Sequence, residues 1–158
     1  MANGGLYITP TLLRRQPNAP LPATRVISEE TSATMRDLLR LVVVDGTGGK
    51  ADVPGYPVGG KTGTAEKASG GGYARKALIS SFVGVFPALQ PRYLVLVILD
   101  EPQPTPETHG YATAGWTAAP TVSKIVARIA PLLGLEPEPV AAPQEDPSAT
   151  RMAVADAR

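Results

Sequence analysis

The chain has 158 residues, 43% of them hydrophobic, which is enough for one modest core and sets an expectation of a single domain. Fifteen basic residues against 14 acidic ones leave a net charge of +1 with no basic stripe, so nucleic-acid or membrane-surface binding has no electrostatic support. The absence of cysteine excludes disulfides and thiolate chemistry, and a single histidine excludes a His-rich metal site.

In chain order, Met1-Ala2-Asn3-Gly4-Gly5 is not a signal peptide and no later segment approaches a spanning length, so no export signal is visible. Residues 6–15 read as a short strand interrupted by Pro10, and Pro17, Pro20 and Pro22 make 16–24 a loop. Ser28 is placed to cap a helix, with Glu29 and Glu30 in the first turn where the dipole favours them. Met35, Leu38, Leu39 and Val42 recur at helical spacing, which predicts an amphipathic helix over 29–44. Arg36, Asp37 and Arg40 read as its solvated face. The glycines of Gly46-Thr47-Gly48-Gly49 end it as a cap and turn.

Three strands are expected next, over 59–67, 78–86 and 93–99, with Gly70-Gly71-Gly72 as a hairpin loop and 87–91 as a turn. Gly84 suggests a bulge or close packing. Residues 93–99 are a continuous apolar run, the pattern of a strand buried on both faces. Helices must then cover both sides of the sheet, and the chain offers only two. The mismatch points to missing structure, with one face of this strand expected to lack its cover. Residues 101–106 are too rich in proline for anything but loop, and His109 reads as a surface loop histidine. Trp116 reads as the anchor at the start of a second helix, with Pro120 at its first position and a stripe of Val122, Ile125, Val126 and Ile129. Pro131 and Gly134 finish it. The fold class is therefore α+β, an antiparallel three-strand meander flanked by helices. Residues 1–135 form the folded portion, and the aperiodic Pro/Ala-rich stretch 136–158 is expected to be a disordered tail.

Chemistry concentrates in Gly59-Gly60-Lys61-Thr62-Gly63-Thr64-Ala65-Glu66-Lys67. On a strand, alternation puts Thr62 and Thr64 on one side, with Lys61 and Gly63 on the other. That makes a strip of backbone donors, hydroxyls and positive charge suited to an extended anionic ligand. Two incompatible readings arise. Gly55 to Thr62 matches the phosphate-loop pattern G-x-x-x-x-G-K-[ST], whose mechanism needs a preceding strand and a helix starting at the Lys-Thr pair. Pro54, Pro57 and Gly63 supply the wrong context for it. The alternative is K-T-G-T as the third motif of penicillin-interacting serine enzymes, where it lies on a strand beside the acyl-transfer site.

Gly46-Thr47-Gly48, Val53-Pro54-Gly55-Tyr56 and the Gly59–Lys67 run resemble class B penicillin-binding proteins, the monofunctional transpeptidases of septal or lateral wall synthesis. Ala2-Asn3-Gly4-Gly5 and Ser81-Phe82-Val83-Gly84-Val85-Phe86-Pro87 resemble segments of the same family in the same order, over about residues 1–135. The resemblance is closer to the division type. It implies part of a serine β-lactamase/transpeptidase-like fold and, from the family, D-Ala-D-Ala stem peptides and β-lactams as ligands of the complete domain. It implies no cofactor, and a parent protein at the periplasmic face of the inner membrane with divisome proteins as partners.

The family's reaction needs a nucleophilic serine in S-x-x-K and an S-x-N loop. None of the serines at 28, 32, 69, 80, 81, 123 and 148 is followed by lysine three residues on, and Asn3 and Asn18 do not complete S-x-N. The resemblance therefore carries over one wall only. Lys61 would present charge to the substrate carboxylate, and Thr62 and Thr64 would offer hydroxyls to it. Gly63 would let the peptide approach, and the Thr64 N–H would be one oxyanion donor. A fragment inactive alone, needing the upstream half of the domain, is the expected state. A phosphate-loop protein, a non-catalytic peptide-binding module and a serine β-lactamase are the rivals, the last needing the same absent serine and lysine.

Overall fold

The computed structural model describes residues 1–16, 19–69 and 72–139. Strands β1 (Leu6–Ile8) and β2 (Ala23–Arg25) form a small antiparallel ladder, followed by helix α1 (Glu29–Val44) and a 3-10 turn at Gly49–Ala51. Strands β3 (Gly59–Ser69), β4 (Gly72–Phe86) and β5 (Tyr93–Asp100) make the expected antiparallel meander, and helix α2 (Ala118–Leu132) closes the fold. Among the described residues no helix is long and apolar enough to cross a membrane.

The first strand is shorter than its sequence suggests, since pairing stops before Pro10, which has no N–H to give a ladder. Leu12 and Leu13 lie outside any strand and are exposed. The end of the expected loop pairs instead as β2, an exposed strand whose only signal is its non-local partner.

Helix α1 follows its local code. The Ser28 Oγ accepts from the Thr31 N–H at 3.0 Å, and Glu29 and Glu30 occupy the first turn. The polar side of α1 is not simply solvated, however. Arg36 donates from Nε to the Leu89 carbonyl, and Arg40 grips Asp52 through both terminal nitrogens at 2.7 and 3.1 Å while Nη1 also donates to the Val58 carbonyl at 2.8 Å. Arg40 thus ties α1 to the loop and to the residue just before β3. Replacing Arg40 by alanine leaves the Val58 carbonyl and the Asp52 carboxylate without this partner, and a loss of about 1–3 kcal/mol is expected. Lysine, which lacks the planar fork, should recover only part of it. A urea titration of the three forms measures both effects.

The register aligns Lys61 with Val83 and Val83 with Leu96, and Thr62 with Phe82 and Phe82 with Val97. Phe82, Phe86 and Val97 therefore share one face, where they are buried in one cluster with Val122, Val126 and Ala130 of α2. The opposite face of β5 is open, the uncovered side expected of a doubly apolar strand in a chain with only two helices. Leu94, Leu96 and Ile98 are 62%, 56% and 58% exposed, because α2 covers only one side of the sheet. Met35, Leu38, Leu39 and Val42 of α1 border this open face, forming with Val83, Val85 and Leu94 an apolar groove of about 470 Å³.

Gly84 sits in an unbroken ladder, so close packing rather than a bulge explains it: a Cβ there would meet the Phe82 ring at 3.1 Å and Val58 at 3.2 Å. The register shift falls instead between Glu66 and Lys67. Just beyond it, Lys67 binds Asp100 and Glu101, whose carboxylates (Glu101 foremost) hold its ammonium above the usual lysine range. Gly70 and Gly71 lie outside the described residues, while Gly72 opens β4.

Pro120 is the third residue of α2 rather than the first, still within the turn that needs no proline N–H. Pro131 falls in its last turn, and Gly134 follows at φ +67°. Of the stretch expected to be a disordered tail, residues 140–158 lie outside the described residues. Before it, the Glu138 N–H donates to the Gly55 carbonyl at 2.7 Å.

Candidate active site

Lys61, Thr62, Gly63 and Thr64 lie in mid-β3, at the margin of the sheet, opposite Val83, Phe82, Ser81 and Ser80 of β4. No helix starts at Lys61, and Gly55 (φ +80°) and the prolines beside it lead into β3 without a preceding strand. The phosphate-loop geometry is therefore absent, and the nucleotide reading falls.

Alternation sends the two threonines to one side, as β geometry dictates. The Thr62 and Thr47 hydroxyl oxygens are 2.9 Å apart, so one donates to the other, and the Thr64 hydroxyl accepts from the Ala114 N–H at 3.1 Å. Both threonines thereby fix neighbouring loops. Thr64 remains able to donate its own proton, since a hydroxyl offers one donor and two acceptor positions. Gly63 is hemmed in by β4: the Ser81 hydroxyl donates to its carbonyl at 3.3 Å, and a Cβ at this position would stand 2.7 Å from that oxygen. Lys61 is exposed and borders the apolar groove. Its ammonium bends over the strand edge to the Thr62 carbonyl at 3.0 Å and the Thr62 hydroxyl at 3.3 Å. Charge from one face is thus brought to a hydroxyl on the other.

The threonine side opens into a groove of about 430 Å³ lined by Thr47, Lys50, Thr62, Thr64, Thr113 and Trp116 with intervening glycines. Half of this wall is not evident from the chain order. Thr47 belongs to the glycine run that ends α1, and Lys50 to the 3-10 turn after it. Trp116 stands two residues before α2 and is half-buried: its indole stacks on Tyr111 with centroids 5.4 Å apart, meets His109 edge-on at 5.1 Å, and carries the Lys50 ammonium at 4.3 Å. His109 itself is exposed at φ +50°.

Hydrogen bonds lock the Trp116 loop to the strands. The Ser80 hydroxyl donates to the Ala112 carbonyl at 2.6 Å, the Ala114 N–H holds Thr64, and the Trp116 N–H turns back to Thr113 at 2.9 Å. Gly115 packs so tightly on the Thr47 carbonyl that a Cβ would come within 2.8 Å of it. The groove is a preformed strip of hydroxyls and one cation beside an open strand edge. It suits an extended ligand bearing negative charge.

Comparison with known proteins supplies the relatives of this arrangement. Residues 1–127 match the family model of the penicillin binding protein transpeptidase domain. The chain is 44% identical over 146 residues to the probable peptidoglycan D,D-transpeptidase FtsI of Caulobacter vibrioides, and 39% identical over 145 residues to the stage V sporulation protein D of Bacillus subtilis. These alignments take in 86% and 85% of this chain but only 25% and 22% of those proteins, so the chain spans about a quarter of their length. Among solved structures, the transpeptidase domain of Burkholderia pseudomallei penicillin-binding protein 3 superposes with a TM-score of 0.75 at 37% identity, over 88% of this chain and 41% of that one. Penicillin-binding protein 3 of Mycobacterium tuberculosis, complexed with ampicillin, superposes with a TM-score of 0.73 at 28% identity, over 89% and 34%. By the family match over residues 1–127 and the likeness to these proteins, the chain belongs to the penicillin-binding protein transpeptidase domain family.

Proposed function

We propose that this chain supplies one wall of a peptidoglycan D,D-transpeptidase site whose nucleophile is carried by the preceding part of the domain. The observation that supports it is the extended K-T-G-T segment at a sheet margin, with two threonine hydroxyls facing a groove and the Lys61 ammonium bent onto Thr62. The names of the relatives and the ampicillin complex of one structural neighbour point the same way.

In this reading a stem peptide ending in D-Ala-D-Ala lies along β3 as an added strand, with main-chain hydrogen bonds giving affinity. Thr62 and Thr64 donate to its terminal carboxylate, and Lys61 provides the positive charge. The serine oxygen bonds to the penultimate carbonyl carbon, the C–N bond to the last D-alanine breaks, and that D-alanine leaves with a proton on its amine. The Thr64 N–H, with that of the serine, holds the oxyanion of the intermediate. An acceptor amine then bonds to the acyl carbon, the ester bond to the serine oxygen breaks, and the proton lost by the amine restores the serine hydroxyl. The parent protein works at the periplasmic face of the inner membrane in septal wall synthesis, alongside divisome proteins, and no cofactor takes part.

A fluorescent penicillin followed by denaturing electrophoresis tests this. The chain alone is expected to take up no covalent label. Mixed or co-expressed with the preceding part of the domain, the pair should be labelled, with the dye on the preceding part. Label on this chain alone, or none on an assembled pair that co-purifies, would each overturn the assignment. The second result would leave a non-catalytic peptide-binding module.

A further inference from the structure

One side of the groove has no task in the transfer reaction. Lys50 stands on the 3-10 turn whose next residue, Ala51, is fully buried in the core cluster with α2, so its backbone is fixed. Its ammonium lies 4.3 Å from the centre of the Trp116 ring. Among the described residues it is the one charged side chain lining the groove, and their ion pairs leave it without a carboxylate. An exposed cation–π contact is worth only about 0.5–1 kcal/mol and uses none of the three N–H donors. The indole positions the ammonium without neutralising it.

We propose that Lys50, held over Trp116, recognises a second carboxylate on the peptide ligand, separate from the terminal carboxylate taken by Thr62 and Thr64. The proposal rests on the groove being a peptide site, and it makes the preferred ligand a peptide with an acidic group away from its C-terminus. A ligand lying from Thr64 past Thr62 reaches the Thr47, Lys50 and Trp116 end of the same groove. The rigid attachment of both loops means that this cation is in place before the ligand arrives, which reduces the ordering cost of binding.

Trp116 is the sole tryptophan, so its fluorescence reports on this wall directly. The chain is titrated with N-acetyl-D-Ala-D-Ala, which has one carboxylate, and with N-succinyl-D-Ala-D-Ala, which has two; isothermal titration of the same solutions reads binding independently of the indole. The dicarboxylate is expected to bind about 3- to 10-fold more tightly at low salt, in the range of a partly exposed charge-assisted contact. Lys50→Gln should bring that ratio to about one, and Lys50→Arg should keep it. Equal binding of the two probes, or a preference that survives Lys50→Gln, overturns the proposal and leaves the peptide site standing. Binding of neither probe by either measurement removes both.

Discussion

In the domain assembled with its preceding part, Lys61→Ala is expected to slow acylation by penicillin about 100- to 1,000-fold, the range seen when one preorganised donor is taken from an acyl-transfer site. The reason lies in where the charge sits. Lys61 occupies the face of β3 turned away from the threonines, yet its ammonium crosses the strand edge to the Thr62 carbonyl and hydroxyl. In the proposed site, removing it takes away the positive charge offered to the ligand carboxylate. It also leaves the Thr62 hydroxyl to be set by Thr47 alone. Stability should change by less than about 0.5 kcal/mol, as for other exposed positions away from packing. Arginine keeps the charge but replaces a compact ammonium with a planar fork, so Lys61→Arg should restore only part of the rate. The second-order rate constant for labelling, read beside a thermal melt, separates these effects. A Lys61→Ala rate within threefold of the parent would remove Lys61 from the site.

How far the sequence carried these conclusions depends on the reach of each signal. Ser28 and α1 were legible because a cap and its first turn are settled within four residues. Lys61 to Thr64 were legible as a strand because β-branched residues alternate there and glycines and prolines on either side deny a helix. The groove was only half legible. Thr47, Lys50 and Trp116 come from three loops, and what unites them is contact at a distance: the Thr47–Thr62 bond, the Ala114–Thr64 bond and Gly115 against Thr47. No spacing in the chain encodes that. Strand β5 shows the opposite limit. Its unbroken apolar run reports a place buried on both sides, while the described residues cover only one, leaving Leu94, Leu96 and Ile98 exposed along a marginal strand. An open edge beside an apolar face is where the preceding part of the domain is expected to add strands and helices, the alternative being self-association.

Phe82→Ala is expected to cost about 3–5 kcal/mol, the range for emptying a core aromatic site, which for a chain with one uncovered sheet face approaches its entire stability. Phe82 is fully buried in mid-β4, and its ring lies in a slot lined by three glycines. A Cβ on Gly60 would stand 2.5 Å from the ring, one on Gly84 3.1 Å and one on Gly48 3.2 Å. Each of these glycines adjoins something the site uses: Gly60 precedes Lys61, Gly48 follows Thr47, and Gly84 follows Val83 at the groove beside Lys61. The ring is therefore the spacer that sets β3 against the Thr47 loop. Removing it should loosen that spacing as well as the core, so Phe82→Leu, which refills most of the volume, is the informative companion. Urea titration should place Phe82→Leu nearer the parent than Phe82→Ala. In the assembled domain, Phe82→Leu should still slow penicillin labelling, because a branched aliphatic side chain leaves the plane between Gly60 and Gly48 unfilled. Parent-like labelling by Phe82→Leu would separate the site's geometry from this ring, and a Phe82→Ala loss below about 1 kcal/mol would mean that the slot collapses without it.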